Sequence, residues 1–245
     1  MRRGAKPLSA TCLHILGFFK WSVNTMNRGL YKWWYDHIGS RFYNLLMKWI
    51  SLPFGGEATL RKAMIKPVSF ENGERILDMG CGTGGATVFI SKKAGSACEI
   101  TGIDLSSGQL HRARKRQYDC PTQFFEGDVT NTGFQANAFD KVFITHAIHE
   151  MPRESRLQTL REAKRLLKPG GQVIVLDLDN PGNIWLRILI GLWFFYWLPG
   201  NFETATRRDM FRHGLSNEVK ESGFVDVSKH SAYRGIFQTV IATKR

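Results

Sequence analysis

The chain has 245 residues, 43% of them hydrophobic, enough for the core of one α/β domain with appendages and no need of disulfide staples. Its four cysteines (Cys12, Cys81, Cys98 and Cys120) form no C-x-x-C pair, which argues against a thiolate zinc site and reads as reduced thiols of an intracellular protein. The net charge of +13 sits at the ends: +9 over residues 1–66, zero over 67–183 and +4 over 184–245, a distribution that opposes nucleic acid lying across the middle of the chain.

Residues 1–29 carry Arg2, Arg3 and Lys6 ahead of an apolar stretch from Leu8 to Phe19. That stretch is too short for a membrane span, which needs about 20 apolar residues, and no small-x-small cleavage site follows it. It reads as a basic terminus that touches lipid, with an organellar import segment as the alternative. From Tyr31 to Ile50 apolar residues recur at helical spacing (Tyr35, Ile38, Phe42, Leu45, Leu46, Trp49), predicting an amphipathic helix. Pro53 and Gly55-Gly56 break it, and Glu57 to Lys66 predicts a further short helix. Residues 1–66 therefore read as a basic, Trp-rich cap and 67–245 as the main domain.

After Pro67 strands alternate with helices: strands at 75–79, 98–104, 122–126, 139–145 and 172–178, helices near 84–94, 106–118 and 153–167. This order predicts a mostly parallel sheet with helices on both faces and a ligand beyond the carboxyl ends of its strands. Ile184 to Leu198 is apolar nearly all round, yet contains Arg187 and is followed by Pro199-Gly200; it predicts a lid partly sunk in lipid, a buried helix being the alternative. A helix near 215–222 and two antiparallel strands, Phe224–His230 and Ile236–Thr243, complete the domain.

The chemistry starts at Glu74–Thr87, E-R-I-L-D-M-G-C-G-T-G-G-A-T. Asp78 ends a strand, and Gly80, Gly82 and Gly84 then let backbone amides close on a ligand at a helix N-terminus. The spacing G-x-G-x-G differs from the G-x-G-x-x-G of nicotinamide dinucleotide sites. Asp104 closes the second strand, positioned for ribose hydroxyls or as a cap for the helix that follows. Asp128, in G-D-V, is placed for an adenine amino group or as a turn residue.

These segments, with F-D-K-V-F-I-T-H-A-I-H-E-M-P, L-L-K-P-G-G and the closing G-F-V-D-V…F-Q-T-V-I-A-T-K, resemble a class I S-adenosylmethionine-dependent methyltransferase over about residues 70–245. The resemblance implies a Rossmann-like, mostly parallel seven-stranded sheet with an antiparallel last strand. It implies that Asp78, Gly80, Gly82 and Gly84 cradle the methionine part of S-adenosylmethionine and that Asp104 with Leu105 holds the ribose. Asp128 and Val129 then flank the adenine, and Thr145 and His146 lie near the sulfonium. Y-D-x₆-Y at Tyr35, Asp36 and Tyr43 is similar to quinone-biosynthesis C-methyltransferases and soluble phospholipid N-methyltransferases, although Asn44 stands where those families often carry a second Asp.

Methyl transfer from a sulfonium needs alignment and exclusion of water, and the sequence has no metal-ligand spacing. His146 and His149 are the candidate bases, with Tyr35 as a further catalytic candidate and Glu150 to orient a histidine. Tyr43, Arg207, Asp209 and His213 are the candidate acceptor-binding residues. The expected acceptor is a small molecule or lipid, a quinol-type ring or an aminophospholipid. The expected place is the cytoplasmic face of an anionic membrane, without nucleic acid. An RNA or protein methyltransferase, and a non-catalytic cofactor-binding scaffold on the membrane, are the competing readings.

Overall fold

The structure, a computed structural model, describes residues 29, 32–33, 35–197 and 204–245, with only the backbone of 38–43, 46, 193–197 and 204. Arg2, Arg3, Lys6, Leu8–Phe19, Cys12, Tyr31 and Leu198–Gly200 lie outside the described residues. Ahead of the sheet come a turn of π-helix (Tyr35–Gly39), helix α1 (Ser40–Ser51), a short turn at Leu52–Phe54 and helix α2 (Glu57–Ile65). Then strands β1 (Arg75–Met79), β2 (Glu99–Asp104), β3 (Thr122–Glu126), β4 (Phe139–Thr145) and β5 (Leu167–Leu178) alternate with helices α3 (Gly85–Ala94), α4 (Ser107–Ala113) and α5 (Arg153–Leu166). Helices α6 (Ile184–Trp197), α7 (Thr204–His213) and α8 (Leu215–Glu221) precede β6 (Val225–Ala232) and β7 (Phe237–Thr243).

The seven strands order as β3-β2-β1-β4-β5-β7-β6. All pairs are parallel except those of β7, which runs antiparallel to both β5 and β6. The order reverses between β1 and β4, so the carboxyl ends of these two strands flank a natural crevice. Successive residues of a strand face opposite sides, and the core divides accordingly. Leu77, Val142 and Val173 meet α5, α7 and α8 on one side, while Ile76, Phe143 and Ile174 meet α2, α3 and the inward residues of α6 on the other. Both faces are thus covered, as a mostly parallel sheet requires.

Three local outcomes differ from the spacing. Helix α4 stops at Ala113, not near 118, because the Tyr118 hydroxyl donates to the Ala113 carbonyl (2.8 Å) and turns the chain back. Strand β5 begins at Leu167, and its register to β4 shifts between Phe139 and Lys141, absorbing the Lys168–Gly171 segment. In α1 the apolar positions Leu45 and Trp49 face solvent, whereas polar Asn44 is partly buried, because Thr83 Oγ1 (2.9 Å) and Arg116 Nη2 (3.0 Å) donate to its side-chain oxygen.

The segment before the sheet is also fastened to the C-terminal hairpin. The Tyr233 hydroxyl donates to the Phe54 carbonyl (2.9 Å), and Thr239 Oγ1 donates to the Met64 carbonyl (2.6 Å). Phe54, Tyr233 and Phe237 meet edge to face. Helix α6 lies on this side of the molecule through Leu186 and Ile190. Its other positions, Ile184, Trp185, Ile188, Leu189 and Leu192, are exposed, Trp185 to 76%. Among the described residues no helix is long and apolar enough to cross a membrane.

Candidate active site

Beyond the ends of β1, β2, β3 and β4 lies a cleft with about 1050 Å³ of empty space, open to solvent. The turn after β1 forms its floor. Gly80, Gly82 and Gly84 all take positive φ (72°, 54° and 73°), and a Cβ on Gly84 would stand 2.3 Å from the Tyr118 oxygen. Only glycine allows this backbone and this approach. Gly80, Cys81, Gly82 and Thr83 line the cleft, with Gly85 and Ala86 of the first turn of α3.

Asp104 shapes the loop as well as the cleft. Its Oδ2 accepts from the Gly82 amide (2.8 Å) and its Oδ1 from the Ser106 amide (2.9 Å), while its carboxylate lines the cavity beside Leu105. Burial pushes its pKa upward, opposed by those two amides. The cap of α4 is Ser106, whose hydroxyl accepts from the Gln109 amide, so the capping role open for Asp104 falls to its neighbour. Asp128, Val129 and Thr130 line the far wall, and Asp128 Oδ1 accepts from the Thr130 amide and hydroxyl (both 2.8 Å).

Asp78 is fully buried and stands behind the glycine turn, outside the lining. Its Oδ2 accepts from Thr87 Oγ1 (2.6 Å), its Oδ1 has no hydrogen-bond partner, and burial raises its pKa to about 6. Its place under the turn makes it a support for the loop, with Gly80, Gly82, Asp104, Leu105, Asp128, Val129 and Thr145 reaching the cavity directly.

The other wall follows β4. Thr145 and His146 line the cleft, and Thr145 Oγ1 and His146 Nε2 are buried without hydrogen-bond partners. His146 has φ +50°, a left-handed backbone that turns its ring edge-on to Phe237 at 5.8 Å. Burial, followed by the charges of Arg61 and His149 against that of Asp177, lowers its pKa to about 3, so the ring is neutral at pH 7. A neutral ring is compatible with a neighbouring sulfonium, where an imidazolium would repel it. Glu150, on the following 3₁₀ turn (Ile148–Glu150), lines the cleft and accepts from the Tyr35 hydroxyl at 3.3 Å.

His149 is placed differently. It is buried against fully buried Asp177 of β5, its Nδ1 2.6 Å from Asp177 Oδ1 and its amide 3.3 Å from Oδ2. Burial pushes the Asp177 carboxyl up, but the His149 charge prevails and holds it below the ordinary value. This pair lies outside the lining and braces the turn that carries His146 and Glu150.

Of the candidate acceptor residues, the Tyr43 side chain lies outside the described residues, and Arg207 is partly buried on α7, away from the lining. Asp209 and His213 also lie off the cleft. Asp209 Oδ2 accepts from Arg156 Nη2 (2.8 Å) and its Oδ1 is 3.4 Å from His213 Nδ1. Arg156 is fully buried and also meets both oxygens of Glu218 (2.8 and 2.6 Å) and the Met151 carbonyl (2.8 Å). Asp209, His213 and Glu218 are close enough to share a cation, and a guanidinium already occupies that place.

Spacing alone did not single out Asp36 and Arg61 as structural elements of the site. Asp36 Oδ1 accepts from the Ser106 hydroxyl (2.6 Å) and the Gly108 amide (3.1 Å), clamping the N-terminal segment to α4 beside the cleft. Against the push of burial, those two donors hold its carboxyl below the ordinary range. Arg61 of α2 lines the cleft next to Gly85.

A nucleoside with an amino-acid arm fits this donor set: acids at the β2 and β3 ends, a glycine turn at β1, and orphaned polar atoms at β4. The comparisons agree. The methyltransferase domain family matches residues 76–171. A demethylmenaquinone methyltransferase of Staphylococcus aureus (strain JH9) is 32% identical over 211 residues, 80% of this chain and 86% of that protein. The protein of the same name from Staphylococcus saprophyticus is 32% identical over 149 residues, where the chain spans 63% of the relative's length. A solved S-adenosylmethionine-dependent methyltransferase from Thermotoga maritima superposes with a TM-score of 0.60 at 22% identity, over 86% of this chain and all of that one, a likeness of fold. The chain belongs to the S-adenosylmethionine-dependent methyltransferases, and S-adenosylmethionine is its cofactor.

Proposed function

We propose that this methyltransferase alkylates a ring carbon of a quinol-type acceptor with a long apolar tail, reached at an anionic membrane surface on the cytoplasmic side. The observation that carries the reading is the bare apolar stripe of α6, Ile184, Trp185, Ile188, Leu189 and Leu192, with Leu45, Trp49 and Leu52 also exposed. A contiguous apolar face with Arg187 among it suits the boundary between headgroups and acyl chains, where tryptophan rings and snorkelling cations are stabilised. At about 1.5 Å per residue a 14-residue helix reaches roughly 21 Å, so it rests in one leaflet and does not span. The named function of the staphylococcal relatives supports the same acceptor class.

When bound, S-adenosylmethionine supplies an electrophilic methyl group on sulfur. The chain's own part is alignment, exclusion of water and management of one proton. Carbon alkylation of a quinol is helped by withdrawing the hydroxyl proton as electron density moves onto the ring. His146, neutral at pH 7 and with Nε2 uncommitted, would accept a hydrogen bond from that hydroxyl, since a ring with a pKa of about 3 is too weak a base to carry the proton away. Glu150, which lines the same cleft and accepts from the Tyr35 hydroxyl, would receive the proton. Asp104 and Asp128 would hold the nucleoside.

The test supplies a demethylated prenyl naphthoquinone in mixed phosphatidylcholine and phosphatidylglycerol vesicles with methyl-labelled S-adenosylmethionine. Label should appear in the lipid extract when the quinone is reduced and stay absent when it is oxidised. Label confined to protein or added RNA would sink the acceptor assignment while leaving methyl transfer intact.

A further inference from the structure

Strand β4 ends in two polar atoms that no group among the described residues answers. Thr145 Oγ1 and His146 Nε2 are both buried, and neither has a hydrogen-bond partner. A dry, unpaired hydroxyl or ring nitrogen is costly, and two side by side call for a reason.

The backbone is bent to bring them together. Side chains alternate along β4, so Thr145 follows Phe143 towards α2 and α3, while His146 would follow Ile144 to the opposite face. At φ +50° the chain turns left-handed instead, and the His146 ring meets Phe237, on the side of Phe143. That conformation is uncommon outside glycine, and such strain gathers at ligand sites. The same turn stands against the donor loop, since the Ala147 Cβ is 3.0 Å from where a Cβ on Gly80 would lie. Both residues line the cleft, as Glu150 does.

The two atoms ask for different things. A threonine hydroxyl has a hydrogen to give. A neutral imidazole carries one hydrogen, and with it on Nδ1 the Nε2 atom can only accept. A single oxygen answers both if it has a hydrogen and a free lone pair, as a quinol hydroxyl does. A quinone carbonyl has lone pairs alone, so it would leave Nε2 unmet and set one lone pair against another. An ammonium group has hydrogens alone and leaves the threonine hydrogen unmet.

We propose that Thr145 and His146 seat one hydroxyl of the acceptor ring, Thr145 donating to its oxygen and His146 Nε2 accepting its hydrogen. The pair thereby reads the redox state of the ring at the binding step, before any methyl moves. The assignment rests on the quinol reading and adds Thr145 to it as a specificity residue.

The test measures dissociation constants by calorimetry with S-adenosylhomocysteine bound, so that no turnover is needed. The probes carry a short prenyl chain: the demethylated naphthoquinol, its oxidised quinone, and the two naphthols that each lack one hydroxyl. The parent should bind the quinol at least about tenfold more tightly than the quinone. Thr145→Val keeps the shape and removes a hydroxyl that the protein itself leaves unpaired, so the fold should stand. It should weaken the quinol and one naphthol about tenfold, the scale of one hydrogen bond sheltered from water, and leave the other naphthol as it was. Thr145→Ser should restore the loss, and S-adenosylhomocysteine affinity should hold in both variants. Equal binding of quinol and quinone overturns the proposal. So does a Thr145→Val effect that is the same on both naphthols or absent from both, or a loss that falls on S-adenosylhomocysteine and gives Thr145 to the donor. If the parent binds S-adenosylhomocysteine but neither the quinol nor either naphthol, the acceptor reading itself falls and takes this assignment with it.

Discussion

The cleft and the outer helices are built on opposite plans. The donor side comes from strand ends and a glycine turn, its polar groups fixed by short hydrogen bonds such as Gly82 to Asp104 and Thr87 to Asp78. Away from it, helices α1 and α6 stand outside the sheet and turn large apolar residues outward, Leu189 to 64%. A polar, constant ligand suits a rigid cradle, because preorganised dipoles need not move to bind it. A tailed acceptor needs a surface on which to arrive, and contiguous exposed apolar residues supply one.

The largest expected effect lies behind the rigid cradle, in the buried ion network on the far face of the sheet from α6. Arg156, fully buried, ties the turn after β4 to α7 and α8. Arg156→Met strands the Glu218 carboxylate in the core and should cost roughly 3–5 kcal/mol, read as a large fall in the denaturant midpoint. A loss below about 1 kcal/mol would mean that the cradle's backing does not depend on this residue.

Next in size is the support under the glycine turn. The Asp78 pKa of about 6 exceeds the ordinary 3.8, so the folded chain binds that proton more tightly than the unfolded chain. The stabilisation is complete below about pH 4 and is lost as pH rises through 6. Asp78→Asn should therefore exceed the parent by about 3 kcal/mol at pH 7.5 and converge with it near pH 4. His146 acts with opposite sign: its depressed pKa stabilises the fold above about pH 6.5, a contribution lost as pH falls towards 3, and common to both proteins. Melting curves from pH 4 to 7.5 decide it, and a constant offset would refute the burial argument.

The smallest effect belongs to the outer face. Replacing Trp185 and Leu189 together with Ala should weaken sedimentation with phosphatidylglycerol-containing vesicles about tenfold, a change of about 1–2 kcal/mol. S-adenosylhomocysteine affinity should stay as it was. Undiminished vesicle binding would remove the support for a lipidic acceptor and leave the donor half untouched.

The strands, their near-parallel run and the glycine turn were legible because each depends on neighbours in sequence: alternation, a strand-ending acid, a turn that only glycine makes. Asp104 was legible for the same reason, by its place at a strand end. Residues that act across long loops were not. Arg156 meets Glu218 62 positions away, and Asp177 meets His149 at 28; no periodicity announces either. His149 read as a cleft residue because it shares a segment with His146, yet one turn of 3₁₀ helix directs it into the core. The spacing of Leu45 and Trp49 predicted an amphipathic helix without saying which face turns inward; they face out, and Asn44 turns in to partners in Thr83 and Arg116.

The stitches from Phe54 to Tyr233 and from Met64 to Thr239 have a consequence for a shortened chain. The segment that brings Arg61 to the cavity is held down by residues 175 and 179 positions further on. A version cut before β6 would own every glycine and acid of the cradle and still leave that segment unfastened.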